Sequence, residues 1–470
     1  MQRRLQGLLV MRFLSVLALV IFASCQNEAG KQDMLFTVVQ KDLNSAETSY
    51  LESFGLISRA SILVSSSLEG QISTRSLTQD FYSASNPNVD YNGKKMLFSA
   101  QKRDAGAWQI YEMDLEDGDV SQLTNSNTNC LSPVYLPDGS IVFSKEIEED
   151  GINQFALFKL NRDKQIEERI TYTPGSYFVL GTLHDGRIIC SKLRVGLNDE
   201  SQRKLLVMRP DGSKEMLFSE NDRTLVRSGV ESTDGTIYLF ESDGNISGSV
   251  YGLGYNDPLH TKRIIAEKVS DKIMAMSLRA PDQLLVSLED SEKNEQGVYE
   301  FKLNSDSLIG PIFKDKDLKV VGIAAIQKRK VPKKIPSEVN HEEQTALLLC
   351  QDAGFYSFQT DDSKAQKAVK LEVMGKNSSM GIVDLEADGS VYLKLQADTP
   401  FRLRTLDANN EVVNGPSSWI NLRPNERRAC TGCHQGMDQA PDNRQPIAVT
   451  KEPIEIPRVS ELLANHDKIE

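Results

Sequence analysis

A motif that recurs about every 48 residues constrains the fold of this chain more than any other feature. Asp138, Asp185, Asp234 and Asp282 lie 47, 49 and 48 residues apart, and each precedes a short apolar run. Every unit contains a turn, a short strand, a polar loop, a second strand and a closing Leu-Thr pair or its equivalent. A period of this length with several short strands per unit is typical of a β-propeller. The repeat therefore predicts an all-β fold.

The two ends of the repeat region predict how the ring closes. Residues 60–78 have the pattern of the outer half of a blade, and residues 318–326 have that of an inner strand. Together they would form one composite blade that joins the beginning of the propeller to its end. We therefore predict six blades, with seven as the alternative. Leu123-Thr124 and the Pro-Asp-Gly run that begins at Pro137 resemble the blades of the periplasmic propeller of the Tol system.

A basic, Pro-rich stretch at residues 328–336 follows the repeats and predicts a linker. Alternating apolar and polar residues beyond it predict the strands of a small β-domain. The predicted division of the chain is a lipoprotein signal peptide at 1–24, a tether at 25–55, the propeller at 56–327, the β-domain at 328–425, and a haem-binding segment with a C-terminal tail at 426–470.

The N-terminus has the pattern of a secretory signal. Arg3 and Arg4 precede an apolar run at residues 13–22, which is too short for a comfortable membrane span. The run leads into Ala-Ser-Cys25, which resembles the lipobox of bacterial lipoproteins and implies lipidation of Cys25. Gln26 stands where lipoproteins kept at the inner membrane usually carry Asp, so we expect a periplasmic protein anchored in the outer membrane. An ordinary signal peptide is the alternative.

A Cys-Thr-Gly-Cys-His motif at residues 430–434 is the attachment pattern for c-type haem. The thiols of Cys430 and Cys433 would add to the two vinyl groups of one covalent haem c, and His434 would ligate the iron. The alternatives are a redox-active disulfide and half of a zinc site. A zinc site needs a second Cys/His pair at metal spacing, and the sequence shows none.

The other cysteines have less distinctive surroundings. Cys190 and Cys350 end apolar, strand-like runs, so we predict that both are buried core thiols. Cys130 precedes a strand, and the sequence does not decide whether it is paired.

The order of motifs around the haem pattern resembles a known family. The motifs are Glu386-Ala-Asp-Gly-Ser390, Ala397-Asp-Thr-Pro400, Ser418-Trp419 and the run from Arg423 to His434. They are similar to the middle domain of the hydrazine synthase alpha subunit over about residues 330–445. The resemblance implies a propeller followed by a domain that bears one c-type haem. It does not imply hydrazine synthesis, which needs partner subunits and further haem. Gln435 stands where most members carry Glu.

The second axial ligand of the iron stays open at this point. Met437 is too near His434 in the chain to reach the opposite haem face easily, and His466 lies in a polar tail. His184, His260 and His341 have no visible metal partner. An iron with an open position binds small molecules, whereas a doubly ligated iron mainly transfers electrons.

Three neighbouring side chains have two interpretations each. Arg427 and Arg428 either pair with haem propionates or are solvated. Trp419 either packs on the haem or fills the core of the β-domain, and we favour the core.

Three functions are compatible with these patterns. The first is an electron-transfer cytochrome whose propeller docks an unknown redox partner protein. The second is a propeller interaction module with a structural haem, and the third is a haem redox enzyme acting on a small nitrogen or oxygen species. The net charge of −12 argues against non-specific nucleic-acid binding. The sequence contains neither a P-loop nor a dinucleotide-binding fingerprint, and it identifies no catalytic residue.

Overall fold

A computed structural model describes residues 31–40, 58–68, 71–193, 203–220, 225–242, 247–265, 272–290, 295–354, 367–432 and 444–457. These residues form strands, turns and extended segments, with a single 3-10 turn at Ile447–Thr450 and no α-helix. The predicted all-β class is therefore confirmed for them. None of the helical structure in these ranges is long and apolar enough to cross a membrane. The predicted signal peptide, Cys25, Cys433 and His434 lie outside the described residues.

The first twenty-four strands form antiparallel meanders. In chain order they are β1 (Lys31–Gln40), β2 (Ser61–Leu68), β3 (Gln71–Ser76), β4 (Ser83–Val89), β5 (Lys95–Gln101), β6 (Gln109–Asp114), β7 (Val120–Gln122), β8 (Cys130–Tyr135), β9 (Ile141–Glu149), β10 (Ile152–Asn161), β11 (Ile166–Arg169), β12 (Ser176–Thr182), β13 (Ile188–Leu193), β14 (Arg203–Met208), β15 (Met216–Glu220), β16 (Leu225–Glu231), β17 (Thr236–Ser242), β18 (Gly248–Gly254), β19 (Arg263–Ile265), β20 (Lys272–Ala280), β21 (Gln283–Asp290), β22 (Glu295–Lys302), β23 (Ser307–Lys314) and β24 (Leu318–Ala325).

Four-stranded meanders arranged in a ring are the signature of a propeller. Six such units can be traced among the described residues, and the blade count of the whole chain stays a prediction. The innermost strands β4, β8, β12, β16, β20 and β24 contact one another in this order, and β24 contacts β4 in turn. The contacts between first and last strand close the ring.

One meander contains strands from both ends of the repeat region. β24 pairs with β1, which pairs with β2, which pairs with β3. The composite unit is as expected, but its second strand was missed, because β1 lies inside the stretch 25–55 that we interpreted as a tether. Leu35 and Phe36 of β1 are fully buried. Tertiary packing therefore stabilises this strand, and its short apolar run gave no clear strand signal in the sequence.

The Asp-Gly pairs of the repeat are tight turns. The carboxylates of Asp138, Asp185 and Asp234 accept hydrogen bonds from the backbone N–H two residues further on, at 3.0, 2.9 and 2.9 Å. The following glycines have φ of +86°, +95° and +82°, a region that residues with a Cβ disfavour. This geometry explains why the pair recurs at the entry to a strand.

A bulge interrupts the pairing of the innermost strands with their neighbours. The residues that the bulges displace from the pairing register include Asn86, Ser132, Leu180, Arg227 and Met274. All five line a cavity of about 150 Å³ in the middle of the ring. The bulges therefore supply the lining of the propeller channel.

The β-domain is a sandwich of two four-stranded sheets. Its strands are β25 (Thr345–Cys350), β26 (Lys370–Met374), β27 (Ser379–Asp384), β28 (Val391–Gln396), β29 (Arg402–Leu406), β30 (Val412–Asn414), β31 (Arg427–Cys430) and β32 (Ile454–Glu455). One sheet has the order β31-β25-β28-β32 and the other β27-β26-β29-β30. Leu348 and Leu393 of the first sheet pack with Leu371 and Leu403 of the second in one core.

The end of the chain is part of this sandwich rather than a separate segment. β31 pairs in parallel with β25, and β32 pairs in parallel with β28. Both strands come from residues 426–470, which we interpreted as a haem segment and tail. Local patterns do not reveal such pairings, because the partner strands precede them by tens of residues.

Candidate functional site

The first cysteine of the predicted haem motif ends an edge strand of the sandwich. Cys430 is the last residue of β31, and its register partner across the sheet is Cys350 of β25. The backbone N–H of Gln351 donates to the Cys430 carbonyl at 2.9 Å. The Cys430 side chain is half-buried against the sandwich core, and Thr431 and Gly432 follow it at the surface. The structure thus positions the first thiol of the motif on a rigid element.

Arg423, seven residues before Cys430, anchors this strand to the propeller. Its guanidinium is fully buried, donates to the Arg169 carbonyl at 2.7 Å and pairs with Glu168. The Nε lies 3.5 Å from a carboxylate oxygen of Asp398 in the β-domain. Burial raises the pKa of Asp398, and the nearby Arg423 cation opposes that shift. A buried cation held by both domains resists their separation, since removing its partners would leave it uncompensated.

Glu426 is a second buried anchor. Its side chain is fully buried and accepts from the backbone N–H of Arg423 at 2.8 Å and that of Lys214 in the propeller at 2.9 Å. It also accepts from Nη2 of Arg428 at 2.7 Å. The carboxylate therefore joins the turn before β31, the strand itself and a propeller turn.

The predicted linker lies across one face of the propeller. Arg329 and Lys333 donate their backbone N–H groups to the carbonyls of Tyr91 and His184, at 2.9 and 3.1 Å. Further on, Asp211 accepts from the Ser337 hydroxyl and the Glu338 backbone N–H at 2.9 and 2.8 Å. We call residues 327–338 the strap. Because turns of several meanders hold it, it fixes the direction in which the chain enters the β-domain.

The arginines and the tryptophan near the motif have distinct surroundings. Arg427 is exposed, whereas Arg428 is bound to Glu426 and therefore is not simply solvated. Trp419 is half-buried, lines a cavity at the junction of the two domains and has the Arg402 guanidinium 5.5 Å from its ring centroid. Trp419 is therefore not a member of the sandwich core that we favoured for it, because the segment that carries it runs along β29 and its side chain lines the cavity instead.

The histidines seen in the sequence are dispersed. His184 Nδ1 lies 3.5 Å from Glu231, His341 Nε2 lies 3.3 Å from Glu168, and His260 is exposed. Met437 and His466 lie outside the described residues. No group of three or more His, Cys, Asp or Glu side chains with metal-binding geometry occurs within the described ranges.

Of the three remaining thiols, those of Cys130 and Cys190 are inert by environment. Cys190 and Cys350 are buried, which confirms their prediction as core residues, and Cys130 is buried as well. Burial raises the pKa of Cys130 to about 12 and raises that of Cys190 well above its usual value. Protonated, inaccessible thiols are poor nucleophiles.

Sequence reasoning missed the roles of Arg423 and Glu426. Both belong to the Arg-Pro-Asn-Glu run that carried the family resemblance, but the sequence analysis assigned neither of them a role of its own. The available signal was an Arg and a Glu that lie three residues apart, with Pro and Asn between them. The Glu426 N–H donates to the Arg423 carbonyl at 2.9 Å, which closes the turn.

Comparison with known proteins points to one family. Residues 314–435 match the family model of the hydrazine synthase alpha subunit middle domain, so the resemblance seen in the sequence is confirmed for these residues. Hydrazine synthase subunit alpha of Kuenenia stuttgartiensis is 21% identical over 499 residues, which cover 77% of this chain and 61% of that protein. This chain therefore spans less than two thirds of that relative's length.

Solved structures show the same likeness. Kuenenia stuttgartiensis hydrazine synthase superposes with a TM-score of 0.77 at 17% identity, over 90% of this chain and 72% of that chain. This match shows a shared fold. TolB from Acinetobacter baumannii has a TM-score of 0.47 at 12% identity, over 64% of this chain and 67% of that chain. The resemblance to Tol-type blades stays a prediction.

Proposed function

We propose that this protein is a periplasmic c-type cytochrome, lipid-anchored through Cys25 in the outer membrane, that transfers electrons to or from a partner protein docked on the propeller. Cys430 and Cys433 would hold one covalent haem c, and His434 would ligate its iron. When bound, the haem supplies a one-electron redox centre. The observation that carries the proposal is the Cys-Thr-Gly-Cys-His motif at the end of a strand that both domains hold.

The described part of the site fits a covalently attached group. The two thiols and one imidazole of residues 430–434 are the donor set that c-type attachment requires. Cys430 is half-buried, unlike Cys130, Cys190 and Cys350, so it is accessible to a haem vinyl group. Arg423 and Glu426 keep the strand rigid, which keeps the position of a redox centre constant relative to the propeller.

Maturation in a host that expresses the c-type haem machinery tests the proposal. We expect haem that stays with the chain on a denaturing gel, and a low-spin optical and electron-paramagnetic spectrum that carbon monoxide does not change. The Cys430→Ala/Cys433→Ala variant should lose the haem, whereas the control Cys190→Ala should keep it. A wild-type chain that carries no covalent haem would contradict the proposal.

A haem redox enzyme is the second candidate, favoured by the similarity to a hydrazine synthase subunit. An enzyme acting on a small nitrogen or oxygen species needs an iron position open to that molecule. A high-spin spectrum that shifts when carbon monoxide or nitric oxide is added would therefore favour this enzymatic function over electron transfer.

The lipid anchor needs its own test. Metabolic labelling with a radioactive fatty acid should label the wild-type chain in the outer-membrane fraction, and Cys25→Ala should abolish the label. Labelled protein in the inner membrane would refute the sorting inferred from Gln26, and an unlabelled wild type would refute the anchor.

A further inference from the structure

A cavity of about 180 Å³ lies between the propeller and the β-domain. Leu206 of β14 and Leu217 of β15 form its propeller side, and Trp419, Ile420 and Asn421 form its β-domain side. Small-molecule sites occur preferentially at such domain junctions. The volume corresponds to roughly six water molecules at liquid density, which suits a molecule with a single ring. We call it the junction cavity.

The wall of the junction cavity is largely apolar. Leu206, Leu217 and Trp419 line the cavity together, and the Trp419 ring offers an aromatic surface against which a flat ring packs favourably. A small inorganic ion would leave this apolar surface in contact with water. The lining therefore selects for a ligand with an apolar ring.

The charge of the junction cavity is positive. Lys204 Nζ lies 3.1 Å from the Ser418 hydroxyl and has no carboxylate partner among the described residues. The one carboxylate in the lining, Glu215, accepts from the Tyr177 hydroxyl at 2.9 Å and lies 3.8 Å from Lys192. Lys192, Arg402 and Arg428 also line the cavity. Among the described residues the Lys204 ammonium is bonded to a neutral hydroxyl, so it is available to bind an anionic group of a ligand.

Asn421 closes the β-domain side of the junction cavity. The residue is 6% exposed, and its Oδ1 is fully buried. This oxygen is therefore out of reach of a ligand, and the selectivity of the cavity rests on its ring surface and its charge.

We propose that the junction cavity binds a small aromatic carboxylate. Its ring packs on Trp419, and its carboxylate pairs with Lys204. Cys430, Thr431 and Gly432, the described residues of the haem motif, do not line the cavity, and neither Trp419 nor Lys204 is a predicted haem ligand, so the two proposals are tested separately.

Titration calorimetry on the full chain with benzoate as the probe tests the inference. Phenol lacks the carboxylate, and inorganic phosphate lacks the ring. We expect benzoate to bind at least tenfold more tightly than either, since one charge-assisted hydrogen bond is worth about 1.5 kcal/mol or more. Equal affinity for all three probes, or no binding of any, would overturn the proposal.

Two variants locate the binding. Lys204→Gln should weaken benzoate binding about tenfold and leave phenol binding unchanged. Lys159→Gln is the matched control, because Lys159 lies on the corresponding strand of the preceding meander and pairs with Asp138 at 2.9 Å. The same loss in both variants would contradict the assigned site.

Fluorescence gives an independent readout of the same site. The chain has two tryptophans, Trp419 in the cavity and Trp108 in the propeller core. Binding should change the emission of the wild type but not that of Trp419→Leu. The haem absorption spectrum should stay constant during the titration, and a shift would place the probe on the iron and refute the proposal.

Discussion

At the scale of single residues, the pair Cys350 and Cys430 is the least expected feature of the chain. The two are register partners on adjacent parallel strands, and both side chains belong to the sandwich core. Neighbouring strands are about 4.8 Å apart, which is within the range of Cα separations that disulfides span. The cysteine that we propose as a haem attachment point thus has a second thiol beside it.

This proximity leads to a prediction for haem-free protein. After exposure to oxidised glutathione, we expect a Cys350–Cys430 disulfide, because burial holds the two thiols together. Peptide mapping under non-reducing conditions should detect the linked peptides. Cys350→Ser should remove them and Cys190→Ser should not, and haem-loaded protein should show none. A Cys430–Cys433 disulfide in their place would contradict the expectation.

Glu426 carries the second prediction at this scale. Glu426→Gln removes the buried charge that pairs with half-buried Arg428 and weakens the bonds to Arg423 and Lys214. We expect the free energy of unfolding to fall by about 3 kcal/mol, as for other broken buried ion pairs, measured by urea denaturation. Glu455→Gln, at an exposed ion pair of the same domain, is the control and should leave stability unchanged. Equal stability of both variants would show that Glu426 is not an anchor.

At the scale of elements, the turns and the strap act together. Burial alone would raise the pKa of Asp211, but hydrogen bonds from Ser213, Glu338 and Ser337 outweigh it and lower the pKa. The same Asp-Gly turn that starts a strand therefore also holds the strap. Close packing also holds the strap in place, because a Cβ at Gly186 would lie only 2.1 Å from the Lys333 carbonyl oxygen.

The Asp211 contacts predict a pH dependence. Because the folded-state pKa lies below the unfolded value, its stabilising contribution is present above about pH 4 and is lost as the pH falls through the folded pKa. Asp211→Asn should unfold at lower temperature than wild type at neutral pH, and the difference should shrink below about pH 4. Thermal unfolding followed by circular dichroism measures this. A difference that stays constant across pH would exclude the carboxylate as its cause.

At the scale of the whole molecule, the ring and the sandwich depend on strands that are remote in sequence. β1 lies between β24 and β2, so it joins the two ends of the propeller. Arg423 and Glu426 then fasten the sandwich to the propeller. The position of the predicted haem therefore depends on the closure of the entire fold.

Truncation tests this dependence. A chain that begins at residue 31 keeps β1, and we expect it to unfold at the temperature of the full mature chain. A chain that begins at residue 41 lacks β1 and leaves the edges of β2 and β24 unpaired and their apolar side chains exposed. It should unfold at a clearly lower temperature or aggregate. Equal unfolding temperatures would mean that residues 25–55 are only a tether, as the sequence had suggested.

The repeat was readable from the sequence because its signal is local, and the predicted haem motif, which stays a prediction, is a local signal as well. A turn needs Asp and Gly next to each other, and c-type attachment needs two thiols and an imidazole within five residues. The buried state of Cys190 and Cys350 was also local, since both end apolar runs. The stretch similar to the hydrazine synthase alpha subunit was recognisable for the same reason.

What the tertiary structure alone decided involves pairs that are far apart in the chain. The pairing of β1 with β24, the partnership of Cys430 with Cys350 and the contact of Arg423 with Glu168 each join residues separated by a large part of the sequence. Composition and periodicity describe what a residue prefers, namely burial, a turn or a strand. They do not specify which distant partner satisfies that preference, because the partner is chosen by the packing of the whole chain.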